Sequence, residues 1–208
     1  MRSPSLLASL ALTALAAAAG LARPRAATAQ TTDYYLRAGV AGGTALVRDA
    51  IRTELHVEQS IAPALALGAG VPLGTRYRVG LELGATLGGL TATETNEEDR
   101  DLGGVRTASA LAYLEGGLVP SVRWRAGLGG ITYGGSDAGM FDGGSGVRLL
   151  AGGVLDWRRP VMARADLTVA LRYDFHRFST DALRARGFEG AQGVSRVLLT
   201  VGLARGAR

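Results

Sequence analysis

The residues of this chain that are capable of acid–base or metal chemistry are few. Four of them alternate along one short segment: Glu54, His56, Glu58 and Ser60. Carboxylates beside an imidazole are the groups that general acid–base catalysis or a metal site requires. The same spacing is typical of the polar face of a strand, however, and we favour that interpretation.

Two further features are candidates for chemistry. His176 follows Asp174 by two residues, and it is predicted to lie at the mouth of the fold rather than to act as a ligand. The segment Asn96–Asp101 is the densest charge cluster, with acidic side chains that could hold a divalent cation. It lacks the glycine-spaced ligand pattern of a dedicated calcium loop, so we interpret it as a solvated loop tip.

The residue types that are missing exclude several functions. The chain has no cysteine, which excludes thiol nucleophiles and disulfides, and no lysine, which excludes a P-loop or a Schiff-base enzyme. Two histidines are too few for a three-histidine zinc site. The net charge of +5 includes Arg2, Arg23 and Arg25 and does not indicate nucleic acid binding. We therefore predict a protein that is not an enzyme and has no metal and no cofactor.

The N-terminus has the organisation of a secretory signal peptide. Arg2 precedes an apolar run from Leu6 to Leu21, and Ala27-Thr28-Ala29 supplies the small residues of a cleavage site. A single membrane anchor is the alternative, but the run is short for a membrane span and is followed at once by Arg23. The sequence predicts a cleaved signal peptide over residues 1–29 and one domain over residues 30–208.

A two-residue alternation between Ala163 and Phe175 indicates the fold. Apolar side chains such as Leu167, Val169 and Leu171 occupy the odd positions, whereas the even positions are mostly polar or charged. A period of two is that of a strand with one apolar face, and its length suits a strand that crosses a bilayer at a tilt.

The same pattern predicts eight strands with alternating long and short connections. The predicted strands are Tyr34–Ala45, Thr53–Val71, Tyr77–Thr93, Thr107–Val119, Val122–Tyr133, Val147–Trp157, Ala163–Phe175 and Ser195–Ala204. Tight turns on one side and long loops on the other are typical of bacterial outer-membrane barrels. Pro63 lies within the long second strand, and the alternative for the outer end of that strand is a loop.

In each predicted strand, the charged side chains occupy the face opposite to the apolar face. They are predicted to form a network of ion pairs in the lumen, because an arginine facing lipid at the bilayer midplane would cost roughly 2–4 kcal/mol. An eight-stranded barrel is just wide enough to be filled by side chains, so this interior is predicted to be packed and not a diffusion pore. The predicted members are Arg37, Glu54, Glu58, Arg78, Glu82, Glu115, Arg123, Arg125, Arg148, Asp156, Arg164, Asp166, Arg172, Asp174 and Arg196.

Aromatic residues are predicted to form two bands at the membrane interfaces. The periplasmic band holds Tyr34, Tyr77, Trp124 and Trp157, and the opposite band holds Tyr133, Tyr173 and Phe175. The alternative fold is a soluble lipocalin-like barrel, which would bury the apolar parity instead. The signal peptide, the unequal loops and the apolar face without mid-strand charge favour the membrane barrel.

With this architecture the chain resembles the small eight-stranded outer-membrane proteins of Gram-negative bacteria, the OmpA/OmpX-like and opacity-protein-like group. The resemblance lies in the arrangement of strands, and the last strand, Val197–Leu203, looks like the C-terminal assembly signal of that group. That signal normally closes with an aromatic residue, whereas Ala204 and Arg205 follow here. The resemblance implies an all-β, up-and-down, antiparallel transmembrane barrel in the cell outer membrane, porin-like in architecture, with membrane lipids and the barrel-assembly machinery as partners.

Three functions remain open at this point. The first is a non-enzymatic structural or interaction protein that presents its outer loops to a surface partner of unknown identity. The second is an outer-membrane enzyme that modifies lipid, although no Ser/His/acid constellation can be assembled from the sequence. The third is a carrier of small apolar ligands, which would require an apolar channel.

Overall fold

The computed structural model describes residues 32–48, 56–93, 100–135, 146–185 and 190–205 of the chain. The signal peptide predicted for residues 1–29 and Glu54 lie outside the described residues. None of the helices in these ranges is long and apolar enough to span a membrane.

The described residues form ten strands and one short helix, α1 (Asp181–Ala185). In chain order the strands are β1 (Asp33–Gly43), β2 (Val47–Arg48), β3 (His56–Gln59), β4 (Ala62–Leu73), β5 (Tyr77–Thr93), β6 (Arg100–Val119), β7 (Val122–Gly135), β8 (Arg148–Met162), β9 (Ala165–Phe178) and β10 (Gln192–Arg205).

Eight of the strands close into a ring of antiparallel neighbours. Its order is β1, β4, β5, β6, β7, β8, β9 and β10, and β10 pairs with β1 to complete it. The short strands β2 and β3 extend the sheet beside β5 at one end of the ring. A closed ring satisfies every strand edge with backbone hydrogen bonds, which a membrane interior requires. The predicted eight-stranded barrel is confirmed.

The alternation in each strand places charge inside and apolar groups outside. On β9 the side chains of Arg172 and Asp174 are 4% and 1% exposed, whereas Leu171 and Tyr173 are 49% and 51% exposed. The same parity rule holds on β1, where Arg37 is buried. A large exposed apolar surface on a closed barrel is the surface of a protein embedded in lipid. The chain folds as a transmembrane barrel, and the soluble lipocalin-like alternative, with its inverted faces, is wrong.

Three connections at one end of the barrel are tight turns, over residues 74–76, 120–121 and 163–164. Gly74 has a φ of 67°, a left-handed conformation that glycine adopts without strain. In outer-membrane barrels such turns face the periplasm and long loops face outward. We call these two ends of the barrel the periplasmic end and the outer end.

Several predicted strand boundaries differ from the structure, and two of the differences change which side chains face the lumen. The β8–β9 pairing continues down to Met162 and Ala165, so Arg158 belongs to a strand and Arg164 lies in the exposed turn. The predicted second strand is interrupted at Ser60 and Ile61, where Ser60 and Gly89 exchange hydrogen bonds. This interruption reverses the alternation, because Val57 is buried in β3 while Glu58 is exposed.

The lumen is filled in two layers. We call the charged layer nearer the periplasmic end the lower layer; its principal members are Asp33, Arg37, Glu82, Glu115, Arg125, Asp156, Arg158, Arg172 and Asp174. We call the apolar cluster nearer the outer end the upper layer, and it consists of Leu46, Val47, Val57, Leu90, Ala92, Val105, Leu111, Ile131, Tyr133, Leu150, Phe178, Leu183 and Val194. The polar interior is therefore confirmed, and the structure adds an apolar layer above it.

Candidate functional site

Glu82 on β5 is the centre of the lower layer. Its carboxylate accepts hydrogen bonds from the guanidinium groups of Arg37 at 2.6 Å and Arg125 at 3.3 Å. Arg172 donates to the other carboxylate oxygen, and the Tyr35 hydroxyl donates at 2.5 Å. One buried carboxylate is thus joined to β1, β7 and β9, which lie on both sides of it around the ring.

Glu115 on β6 forms a second centre. Its carboxylate accepts hydrogen bonds from Arg125 at 2.7 Å, Arg123 at 2.8 Å and Arg158 at 3.3 Å. Asp156 on β8 accepts from Arg125 and, at 3.0 Å, from Arg158. Because Arg125 contacts Glu82, Glu115 and Asp156, the two centres form one continuous network.

The network ends at the periplasmic end with Asp33, the first residue of β1. Arg158 donates to Asp33 at 2.6 Å, and Arg123 and Arg78 approach the same carboxylate oxygen to 3.6 Å and 3.9 Å. Neither Asp33 nor Arg158 was included in the predicted network. Each lies one residue beyond a predicted strand end, and continuing the parity of β1 and β8 by one residue would have found it.

Toward the outer end the network changes from ion pairs to hydroxyl groups. Arg172 donates to Asp174 at 2.6 Å. Arg196 on β10 donates to the Thr86 hydroxyl at 3.1 Å, and Thr86 and Thr107 share a hydrogen bond of 2.7 Å. Hydroxyl groups satisfy the guanidinium of Arg196 while carrying no charge into the apolar layer above.

Two tyrosines, Tyr35 and Tyr113, fill the space between the charged groups. The guanidinium carbons of Arg37 and Arg125 lie 4.2 Å and 4.3 Å from the ring centre of Tyr35, a geometry that permits cation–π attraction. A Cβ atom at Gly68 would lie 2.3 Å from the Tyr35 ring, and glycine therefore gives this ring its space. These tyrosines were not among the predicted lumen residues, although they lie on the same strand faces as the charged side chains.

The lower layer fills the barrel because its buried charged groups pair with one another. Removing one partner of a buried ion pair costs roughly 3–5 kcal/mol, so the groups hold each other in fixed positions. Glu82, Glu115 and Arg125 are each no more than 3% exposed. At this level the lumen is occupied by these buried side chains.

The upper layer closes the lumen a second time, with apolar groups. Phe178, Ile131 and Leu150 project inward from the ring and are completely buried. Leu46 and Leu183, which lie in connections at the outer end, pack on them. Thr180 accepts a hydrogen bond from the Leu183 backbone at 3.1 Å and thereby fixes the start of α1.

His176 lies within this apolar layer. Its Nε2 atom and the Tyr133 hydroxyl share a hydrogen bond of 2.7 Å, and the Tyr133 ring packs edge-on against Phe178 with 5.0 Å between centres. Tyr133 is 5% exposed, so its predicted place in the outer aromatic band is wrong. Its odd position on β7 has the parity of Arg123 and Arg125, which face the lumen.

The structure brings most of the predicted charged residues into the lumen. Arg148 donates to the Ser179 carbonyl at the outer end, and Asp166 is half-buried at the periplasmic end. The predicted lumen positions of Arg164 and Glu58 are wrong, because the turn and the break at Ser60 expose them. The predicted residues found in the lower layer or at its edges are Arg37, Arg78, Glu82, Glu115, Arg123, Arg125, Asp156, Arg172, Asp174 and Arg196.

Those residues considered for chemistry that the structure describes are not grouped into one site. His56 is half-buried and Glu58 is exposed on β3, while the Ser60 hydroxyl is hydrogen-bonded to the backbone of Gly89. In the described ranges no three His, Asp or Glu side chains are grouped to hold a metal ion. Most of the Asn96–Asp101 cluster lies outside those ranges.

Solved structures of outer-membrane barrels share this fold. Neisserial surface protein A (NspA) has a TM-score of 0.56 at 14% identity, over 84% of this chain and 96% of its own. OprG from Pseudomonas aeruginosa has a TM-score of 0.53 at 14% identity, over 85% and 96% of the two chains. The outer membrane protein AlkL has a TM-score of 0.53 at 9% identity, over 88% and 93%.

No model of a known protein family matches the chain. No curated protein matches it by sequence either. The likeness to the solved barrels establishes the fold, in agreement with the resemblance to small eight-stranded outer-membrane proteins.

Proposed function

We propose that this protein is a sealed, non-enzymatic barrel of the outer membrane whose outer loops contact a partner at the cell surface. The observation that supports it is the double closure of the lumen, by the ion pairs around Glu82 and by the apolar groups around Phe178. A barrel filled twice is a rigid support rather than a channel. Rigid supports that carry long loops commonly place their function in those loops.

Planar-bilayer recording of the refolded chain tests the seal. We expect no conductance steps from the wild-type protein, and none from the double variant Leu150→Ala/Phe178→Ala, because the lower layer remains. Adding Arg125→Ala to that variant opens both layers and should produce steps. Retention of a heat-dependent shift in electrophoretic mobility verifies that each variant is folded. Steps from the wild-type protein would refute the proposal.

Surface labelling tests the role of the loops. A short epitope inserted between residues 136 and 145 is expected to bind antibody on intact cells, whereas the same epitope placed at the 120–121 turn requires permeabilised cells. The reverse pattern would place the long loops in the periplasm and remove them from contact with any surface partner. We further propose that the barrel-assembly machinery inserts the chain and that nucleic acid is not a partner.

Lipid analysis tests the absence of catalysis. Mass spectrometry of lipid A and phospholipids is expected to give identical spectra from cells with wild-type protein, with no protein, and with His56→Ala/His176→Phe. A modification that appears with the wild-type protein and disappears in the double variant would identify an enzyme instead.

A further inference from the structure

The lipid-facing side of the ring carries charge only at its two rims. We consider the described ring strands from the periplasmic end up to the level of Arg106. Over this span, the outward face carries Arg106 and Arg177 near the outer end. It carries Arg159 and Arg205 near the periplasmic end. No carboxylate shares this face over that span. The lumen, by contrast, contains both signs of charge in contact.

Arg106 lies at the height of a membrane interface. Arg106 and Gly116 are ten residues apart on β6, and Gly116 is paired with Tyr77 and Trp124 of the periplasmic aromatic band. For a strand tilted by about 40° this separation is about 25 Å, the height of the apolar band of an outer-membrane barrel. Arg106 is therefore placed where lipid headgroups begin.

Each outer arginine adjoins a groove on the barrel wall. The groove beside Arg106 has a volume of about 440 Å³ and is lined by Leu87 and by Gly88, Gly104 and Gly134. A Cβ atom at Gly134 would lie 3.1 Å from the Arg106 Nε, so glycine allows the guanidinium to lie along the wall. The groove beside Arg177 has a volume of about 380 Å³, and its apolar lining includes exposed Leu149 and Phe175.

These guanidinium groups have no anionic partner within the described residues. The arginines of the lower layer reach carboxylates at 2.6 Å to 3.3 Å, whereas neither Arg106 nor Arg177 forms an ion pair with any described side chain. A cation at the edge of an apolar band is stabilised when it extends to an anionic headgroup. The planar guanidinium matches phosphate oxygens in a two-point contact.

We propose that Arg106 and Arg177 each bind a phosphate group of a phosphorylated lipid in the outer leaflet. The acyl chains of the lipid lie on Leu87 at the first groove and on Leu149 and Phe175 at the second. The positive charge complements the phosphate, and the apolar floor of each groove continues into the apolar band. This inference requires the barrel to be in the membrane and is independent of the sealed lumen.

Native mass spectrometry of the refolded full chain in neutral detergent tests the proposal, with bisphosphorylated lipid A as the probe. We expect Arg106→Gln/Arg177→Gln to weaken binding about thirtyfold, as the loss of two cations beside lipid headgroups would. The matched control, Arg159→Gln/Arg205→Gln, removes the same charge from the other rim and is expected to bind like wild type. An equal loss in both variants would show attraction to charge alone and overturn the proposal.

A second arm uses the wild-type chain only, so it does not depend on the folding of a variant. Dephosphorylated lipid A is expected to bind wild-type protein about thirtyfold more weakly than bisphosphorylated lipid A does. Equal binding of both lipids by wild type would overturn the role of phosphate. Displacement of the lipid by millimolar inorganic phosphate would assign the site to a free anion and refute a lipid site.

Discussion

The lower and upper layers of the lumen close the same barrel with opposite chemistry. In the lower layer Glu82 and Arg125 each contact several charged partners, and loss of one partner leaves the others buried without compensation. In the upper layer Phe178 and Leu150 contribute apolar area and shape. Closure by the lower layer depends on a complete set of ion-pair partners, whereas closure by the upper layer depends on the volume that its apolar side chains fill.

This difference determines which positions of the lumen tolerate substitution. A buried ion pair contributes little net stability compared with apolar groups of the same shape, but it strongly specifies which groups must be together. An apolar layer tolerates changes of shape and loses stability in proportion to the space that is emptied. The lower layer is therefore the part that fixes the register, and the upper layer is the part that adds packing.

Glu82→Gln is expected to have the largest effect. It leaves the guanidinium groups of Arg37 and Arg172 without their carboxylate, and it should lower the free energy of unfolding by roughly 3–5 kcal/mol. Urea titration in lipid vesicles, followed by electrophoretic mobility, measures the change. The matched control is Glu58→Gln, an exposed position expected to change stability by less than about 0.5 kcal/mol. Equal effects at both positions would contradict the role of the lower layer.

Phe178→Ala is expected to cost about 3 kcal/mol, the lower end of the range for a buried phenylalanine. Residues 179–185 follow it in a connection and can shift to fill part of the cavity. The same titration measures it, with Phe175→Ala as the control, because lipid chains can occupy the space that an outward phenylalanine leaves. A larger loss for Phe175→Ala would show that the upper layer is not tightly packed.

Tyr133→Phe distinguishes polar from apolar contributions inside the upper layer. It removes the hydroxyl partner of the His176 Nε2 atom in apolar surroundings, and the expected loss is about 1–2 kcal/mol. Tyr173→Phe is the control, since its hydroxyl shares a 2.8 Å hydrogen bond with Ser195 on the exposed side. Comparable stability of Tyr133→Phe and wild type would show that His176 does not require this partner.

The smallest effect is expected at Arg164. Because this residue lies in the exposed turn, Arg164→Gln should change stability by less than about 0.5 kcal/mol. Arg158→Gln removes a cation that contacts Asp33, Asp156 and Glu115, and it should cost several kcal/mol in the same titration. Similar losses in the free energy of unfolding from both substitutions would indicate that Arg164 takes part in the charged network.

The alternation of apolar and charged residues predicted the barrel because, along most of each strand, one face meets lipid and the other meets the packed lumen. It predicted the lower layer less completely, because Asp33 and Arg158 lie beyond the predicted strand ends. It could not separate the two layers: Arg125 and Ile131 share one parity, and the sequence period is the same for both. The reversal of faces at Ser60 arises from contacts with Gly89, which are distant in sequence and leave no local pattern.

The position of Glu82 has a consequence for how the barrel assembles. Its three arginine partners come from the first, seventh and ninth strands of the chain, so an open sheet that lacks β9 leaves its carboxylate only partly neutralised. Ring closure and completion of the network are then one cooperative event. A half-built sheet carries an electrostatic penalty that disappears only when the final strands arrive, and we expect such intermediates to be short-lived during insertion.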